Sequence, residues 1–101
     1  MKIENQGTSL SISEIQELTA VNSASFRDQV SAVLPAELGV IEIDLSSTRF
    51  VDSSGLGALF ALYRATAQRN GVVLRIINPR PEIRQLLELT QMQQLFEIVT
   101  R

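Results

Sequence analysis

The run Asp52-Ser53-Ser54-Gly55-Leu56-Gly57 holds the residues of this chain best suited to chemistry. Two hydroxyls stand beside a carboxylate and ahead of two glycines, between the apolar pair Phe50-Val51 and a helix-forming stretch. That order places a serine at a helix N-terminus, where unpaired backbone N–H groups and the helix dipole favour a negative group. Such a serine can act as a nucleophile, cap the helix or accept a phosphate.

A serine nucleophile needs a base. The chain has no His and no Cys, which removes Ser-His-Asp and Cys-His sites and leaves an ordinary zinc site without ligands. No Gly-x-x-x-x-Gly-Lys-Ser/Thr segment occurs, and no Gly-x-Gly-x-x-Gly follows a strand. Asp52 occupies the position where a nucleophile elbow, Gly-x-Ser-x-Gly, requires glycine. Asp44 and Asp52 lie near the C-terminal ends of apolar segments, where α/β folds gather ligands. Nothing nearby in sequence activates Ser54. The expectation is a chain without catalytic residues, metal or cofactor.

A capping serine explains one hydroxyl and is worth about 1 kcal/mol. It explains neither the second hydroxyl nor Gly57, since glycine inside a helix costs roughly 1 kcal/mol relative to alanine. A phosphate on Ser54 adds about −1.5 to −2 charge at pH 7. The helix start tolerates that charge, Asp52 and Asp44 oppose it, and the glycines leave room for a partner's close approach.

These residues need a scaffold. At 101 residues, with 45% apolar and 20% charged residues, the chain supports one core and one domain, 1–101. Net charge is −2 and no Lys/Arg cluster occurs, which disfavours a nucleic-acid surface or a polybasic membrane patch. No apolar run reaches 18 residues, so direct membrane insertion is not expected. Residues Met1 to Gly7 lack the apolar run of a signal peptide, and a cytoplasmic chain is expected.

Strict alternation of Ser9, Ser11 and Ser13 with Leu10 and Ile12 predicts a half-buried strand near a sheet edge. Ile3 belongs to a short strand before it, with Asn5-Gln6-Gly7 as the turn. Asn22-Ser23 reads as the cap of a helix whose stripe is Phe26, Val30, Val33 and Leu34, ended by Pro35 and Gly39. Val40 to Leu45 and Val72 to Ile77 are branched, buried strands. Ser46 to Arg49 is a polar loop after which Phe50-Val51 re-enters the core. A helix from Ser54 to about Arg69 should face the sheet with Leu56, Leu59, Phe60, Tyr63 and Ala67, and stop at Asn70-Gly71. Ala58, Ala61, Leu62 and Ala65 lie off that stripe as a candidate docking patch. Pro81 starts a helix through Leu89 on Ile83, Leu86 and Leu87, Met92 and Leu95 anchor one more turn, and Phe96 to Val99 forms a last short strand. Alternating strands and helices predict an α/β layer fold with parallel pairs and right-handed crossovers.

Ile43-Asp44-Leu45 followed by Phe50 to Leu59, with Asp-Ser-Ser-Gly-Leu-Gly at its centre, resembles the signature of the STAS domain of sulfate transporters and anti-sigma factor antagonists. The likeness covers nearly the whole chain. Leu18 to Ser23, Gly71 with Val72-Val73-Leu74, and Leu86 to Leu89 fit it, with Gln16 standing where glycine is common. The resemblance implies a single compact domain: a mixed four- to five-stranded sheet with helices packed mainly on one face. It also implies an anti-sigma factor antagonist that binds an anti-sigma factor with serine kinase activity. Phosphorylation at Ser54 releases the complex and a serine phosphatase resets it, so transcription is regulated by partner switching. Asp52, Ser53, Gly55, Leu56, Gly57, Thr19 and Asn22 are the implied partner-binding residues. An alternative is a constitutive interaction subunit of a lipid-transport ABC complex or of a signalling scaffold.

Overall fold

A computed structural model describes the whole chain, Met1–Arg101. Its strands are β1 (Lys2–Gln6), β2 (Ser9–Ser13), β3 (Glu17–Leu18), β4 (Val40–Asp44), β5 (Phe50–Val51), β6 (Val73–Ile77) and β7 (Glu97–Val99). The helices are α1 (Ser23–Ala32), α2 (Ser53–Thr66) and α3 (Pro81–Leu89), and a single 3₁₀ turn spans Met92–Gln94. Five strands form one mixed sheet in the order β1-β2-β4-β6-β7, with β1 antiparallel to β2 and every other pair parallel. This is the mixed α/β sheet expected, at the upper end of the expected strand count.

Period-2 patterning explains why the sheet has one covered face. Leu10, Ile41 and Leu74 stand in one cross-strand row, and Ile12, Ile43, Ile76 and Ile98 in another. Six of these seven are buried, and they join Phe26 and Val30 of α1, Leu59 and Leu62 of α2, and Ile83 and Leu87 of α3 in a single core. Residues of opposite parity face away from the helices. There Glu42 pairs in register with Arg75, and Arg75 with Glu97. The Arg101 guanidinium donates to Glu42, and the Arg75 guanidinium lies 3.5 Å from the same carboxylate. Arg101, then Arg75, holds the Glu42 carboxyl below its ordinary value against the opposing effect of burial.

Several local expectations are corrected. Asn5 and Gln6 are strand residues, and the hairpin turns at Gly7-Thr8 with Gly7 at φ +75°, a conformation that costs glycine nothing. Asn22 flanks α1 without capping it, because its side chain is occupied elsewhere. Val33 lies just past α1 and is exposed, while Leu34 packs partly on the core. Helix α2 starts at Ser53 and ends at Thr66. The Thr66 hydroxyl donates back to the carbonyls of Leu62 and Tyr63, competing with continued helix. The remaining residues turn through Gly71 at φ +78°.

The buried face of α2 is Gly55, Ala58, Leu59, Leu62 and Thr66, rotated from the expected stripe. Phe60 is exposed, Ala67 is exposed, and Leu56 and Tyr63 are half-buried. Ala58 and Leu62 are therefore packed inside and form no docking patch; of the four residues expected in it, Ala65 is exposed and Ala61 half-buried. No helix is long and apolar enough to cross a membrane.

Candidate functional site

A second, two-stranded sheet positions the Ser54 segment. Strands β3 and β5 are parallel, with Glu17 opposite Phe50 and Leu18 opposite Val51. Two residues are too few for alternation to be visible, so the pair leaves no pattern in the sequence. Its anchor is Thr48, fully buried in the loop after β4. The Thr48 hydroxyl donates to the Ile15 carbonyl at 2.6 Å, and the Arg49 N–H donates to the Gln16 carbonyl at 2.9 Å. Val51 turns inward, whereas Phe50 is 64% exposed. The expectation that Phe50 re-enters the core fails on strand parity: only one residue of the pair can face in.

Asp52 follows directly. It is the N-cap of α2, with its Oδ1 accepting the Gly55 N–H at 2.9 Å. Its other oxygen, Oδ2, accepts the Ala20 N–H at 3.0 Å from the turn before α1. One carboxylate thus joins two chain segments 32 residues apart in sequence. The N–H of Gly55 first, then that of Ala20, holds the Asp52 carboxyl below its ordinary value, as expected for a charge satisfied by backbone donors. The cap belongs to Asp52, so neither serine is needed as one.

Gly55 lies at the crossing of α2 and β3. A Cβ there would stand 1.8 Å from the Leu18 carbonyl oxygen and 2.7 Å from its carbon. Gly57 is the opposite case: a Cβ there would meet nothing within 4 Å, and the residue is exposed. Of the two glycines, Gly55 alone sits where the backbone packs too closely for a side chain.

The turn facing this helix start is built by Thr19 and Asn22. Asn22 Oδ1 accepts the Thr19 N–H at 2.9 Å, and Asn22 Nδ2 donates to the Glu17 carbonyl at 2.6 Å. The Thr19 hydroxyl donates to Glu17 Oε1 and accepts the Val21 N–H. This bracing leaves Val21 86% exposed at the tip. Thr19, Asn22, Asp52 and Gly55 are thus brought together as a frame. Ser53, Ser54 and Gly57 are exposed and Leu56 is half-buried. Asp44 stands apart from this frame: its carboxylate accepts the Ser46 N–H, and it borders a different recess with Glu42 and Arg101.

Beside Ser54 lies a shallow recess of ≈ 290 Å³ between α1 and α2, lined by Ser23, Ala24, Arg27, Ser54, Gly57 and Ala58. Sequence reasoning missed Ser23 and Arg27 here, because the α1–α2 contact that brings them to Ser54 leaves no local signal. Nothing in the arrangement supplies a base to Ser54, and the Asp52 carboxylate is committed to two backbone donors. The site can present a free hydroxyl and an exposed surface.

A family model for the STAS domain matches residues 1–101. Among solved structures, a Thermotoga maritima protein described as an anti-sigma factor antagonist aligns with TM-score 0.83 at 18% identity, covering 99% of this chain and 85% of that one. An anti-sigma factor antagonist from Mycobacterium paratuberculosis aligns with TM-score 0.74 at 22% identity, covering 96% and 81%. The phosphorylated form of the Bacillus cell fate determinant SpoIIAA aligns with TM-score 0.70 at 19% identity, covering 99% and 91%. At these identities the likeness to solved structures establishes the fold.

Proposed function

The chain belongs to the STAS domain family, and on that premise we propose that it is an anti-sigma factor antagonist switched by phosphorylation of Ser54. One observation carries the proposal: Asp52 takes over the cap of α2, leaving the Ser54 hydroxyl exposed and without a structural hydrogen bond. The solved phosphorylated form of SpoIIAA shows that a protein of this fold can carry a phosphate.

In this scheme the unmodified surface around Ser53, Ser54, Leu56, Gly57 and the Thr19–Asn22 turn docks on a cytoplasmic anti-sigma factor that is also a serine kinase. The frame made by Asp52, Gly55, Thr19 and Asn22 fixes the shape of that surface. The kinase supplies ATP and the base. Ser54 Oγ forms a bond to the γ-phosphorus, the bond from that phosphorus to the β-bridging oxygen breaks, ADP leaves, and the hydroxyl proton passes to the kinase's base. The new dianion stands on the docking face beside an already ionised Asp52. Burying it against the partner incurs desolvation and like-charge costs of several kcal/mol, so the complex dissociates. A serine phosphatase restores the hydroxyl.

The test is to incubate the protein with an anti-sigma factor kinase and ATP, and to map the phosphate by mass spectrometry. The parent is expected to be labelled at Ser54 and Ser54→Ala to be unlabelled. Ser54→Glu is expected to weaken binding at least about tenfold with the fold intact. Equal labelling of Ser54→Ala and the parent removes the assignment. Binding that ignores both ATP and Ser54→Glu points instead to a constitutive interaction subunit.

A further inference from the structure

We propose that Arg27 of α1 is the counter-charge for a phosphate on Ser54, holding the dianion in the recess between α1 and α2. The inference rests on the assignment of Ser54 as a phosphate acceptor and adds what the domain does with the phosphate.

Three observations converge. The recess beside Ser54 receives Ser23, Ala24 and Arg27 from α1, and Ser54, Gly57 and Ala58 from α2. Arg27 is the one ionisable group in this set. Its guanidinium takes part in none of the chain's ion pairs, so it can turn toward a new anion without breaking an existing contact. Gly57 leaves the space open, since even a Cβ there would touch nothing within 4 Å. Asp52, the acid at the start of α2, already has its oxygens engaged by Gly55 and Ala20 and does not compete for the guanidinium. Asp28, next to Arg27 on α1, is not among the residues lining the recess.

A guanidinium forms paired, charge-assisted hydrogen bonds to phosphate oxygens, and its planar fork fixes their direction. Arg27 therefore acts as a positioning residue. It pins the phosphate over the α1–α2 seam, so the modified domain keeps its fold and presents a fixed negative charge where the partner must dock. Without Arg27 the phosphate would be free to swing into solvent.

The test uses full-length protein carrying phosphoserine at position 54, installed during translation, so that no kinase is needed. The readout is the second ionisation of the phosphate, followed by phosphorus NMR across pH 4 to 8. A guanidinium about 5 Å away through a water-like medium favours the dianion enough to lower the midpoint by roughly half a pH unit. The phosphorylated parent is expected to titrate about that much below phosphorylated Arg27→Gln, with Arg27→Lys restoring part of the shift. The gap should narrow in 1 M salt, where screening acts within about 3 Å. Equal midpoints in parent, Arg27→Gln and Arg27→Lys overturn the inference, once circular dichroism shows all three folded. Failure of a kinase to label Ser54 is read in a separate assay. It overturns the acceptor assignment, whereas the NMR midpoints test the Arg27 contact itself.

Discussion

Gly55 and Gly57 lie two residues apart in the same helix turn, and they should respond to the same substitution in opposite ways. In Gly55→Ala, the new methyl would lie 1.8 Å from the Leu18 carbonyl oxygen. Ordinary contact begins at 3.4 Å, so the start of α2 and β3 must separate by about 1.6 Å. The obstacle is backbone on both sides, and no side-chain rotation relieves it. Separation also strains the bond from the Asp52 N–H to the Leu18 carbonyl and the link from Ala20 to Asp52. Overpacking of this kind costs about 1–3 kcal/mol or more, offset by less than about 1 kcal/mol of helix propensity gained on replacing glycine. A net loss near 2 kcal/mol lowers the melting temperature of a domain this size by roughly 10–15 °C.

Gly57→Ala meets no atom within 4 Å. Only the propensity gain remains, about 0.5–1 kcal/mol of added stability and a rise of several degrees. If Gly57 serves the docking surface, the same methyl lowers affinity for the anti-sigma factor kinase about tenfold. The assay pairs urea and thermal unfolding, followed by circular dichroism, with a titration of the kinase. An undamaged Gly55→Ala would refute the close-approach argument. A Gly57→Ala protein that is more stable and binds with unchanged affinity would show that Gly57 has no part in docking.

Two further substitutions test the frame. Thr48→Val keeps the shape but removes the donor to the Ile15 carbonyl in a fully buried position, and should cost about 1–3 kcal/mol in urea unfolding at unchanged denaturant slope; a neutral result would mean the β3–β5 pair needs no anchor there. Asp52→Asn tests the lowered carboxyl of Asp52. A folded-state pKa below the unfolded one contributes stability that is complete above about pH 5 and lost as pH falls through the folded value. Unfolding curves from pH 7 to 2.5 should show a parent advantage over Asp52→Asn that is constant down to about pH 5 and shrinks below it; an advantage independent of pH would exclude the ionised cap.

Much of the fold is legible because the strands of the sheet carry apolar residues in alternation or in short branched runs. Leu10 and Ile12 mark themselves by period 2, Val40 to Leu45 and Val72 to Ile77 mark themselves as branched apolar runs, and Pro81 marks the start of α3. On α2 side-chain size is a poor guide to burial: the buried face includes Gly55 and Ala58. Strand β3 comes too close to Gly55 for any side chain, and Phe60 is left at the surface. Phe50 misleads in the same way, because hydrophobicity gives no parity in a two-residue strand. Thr48 looks like loop surface in sequence, yet its hydroxyl is satisfied by a carbonyl 33 residues away.

At the site, the sequence motif compresses several tasks that only the structure separates. Asp52 carries the electrostatics of the helix start, and Gly55 carries the steric fit to β3. A chain needing only a stable α2 could stop there, with alanine at 57 and any tolerated residue at 53 and 54. The exposed serines and the unobstructed glycine contribute nothing to packing, so their presence calls for a cause outside the fold. Under the proposed function, a docking partner would supply that cause for Gly57 and a transferred phosphate would supply it for Ser54. Arg27 belongs to the same logic: an exposed cation with no ion pair, placed on another helix, across the recess from the exposed Ser54.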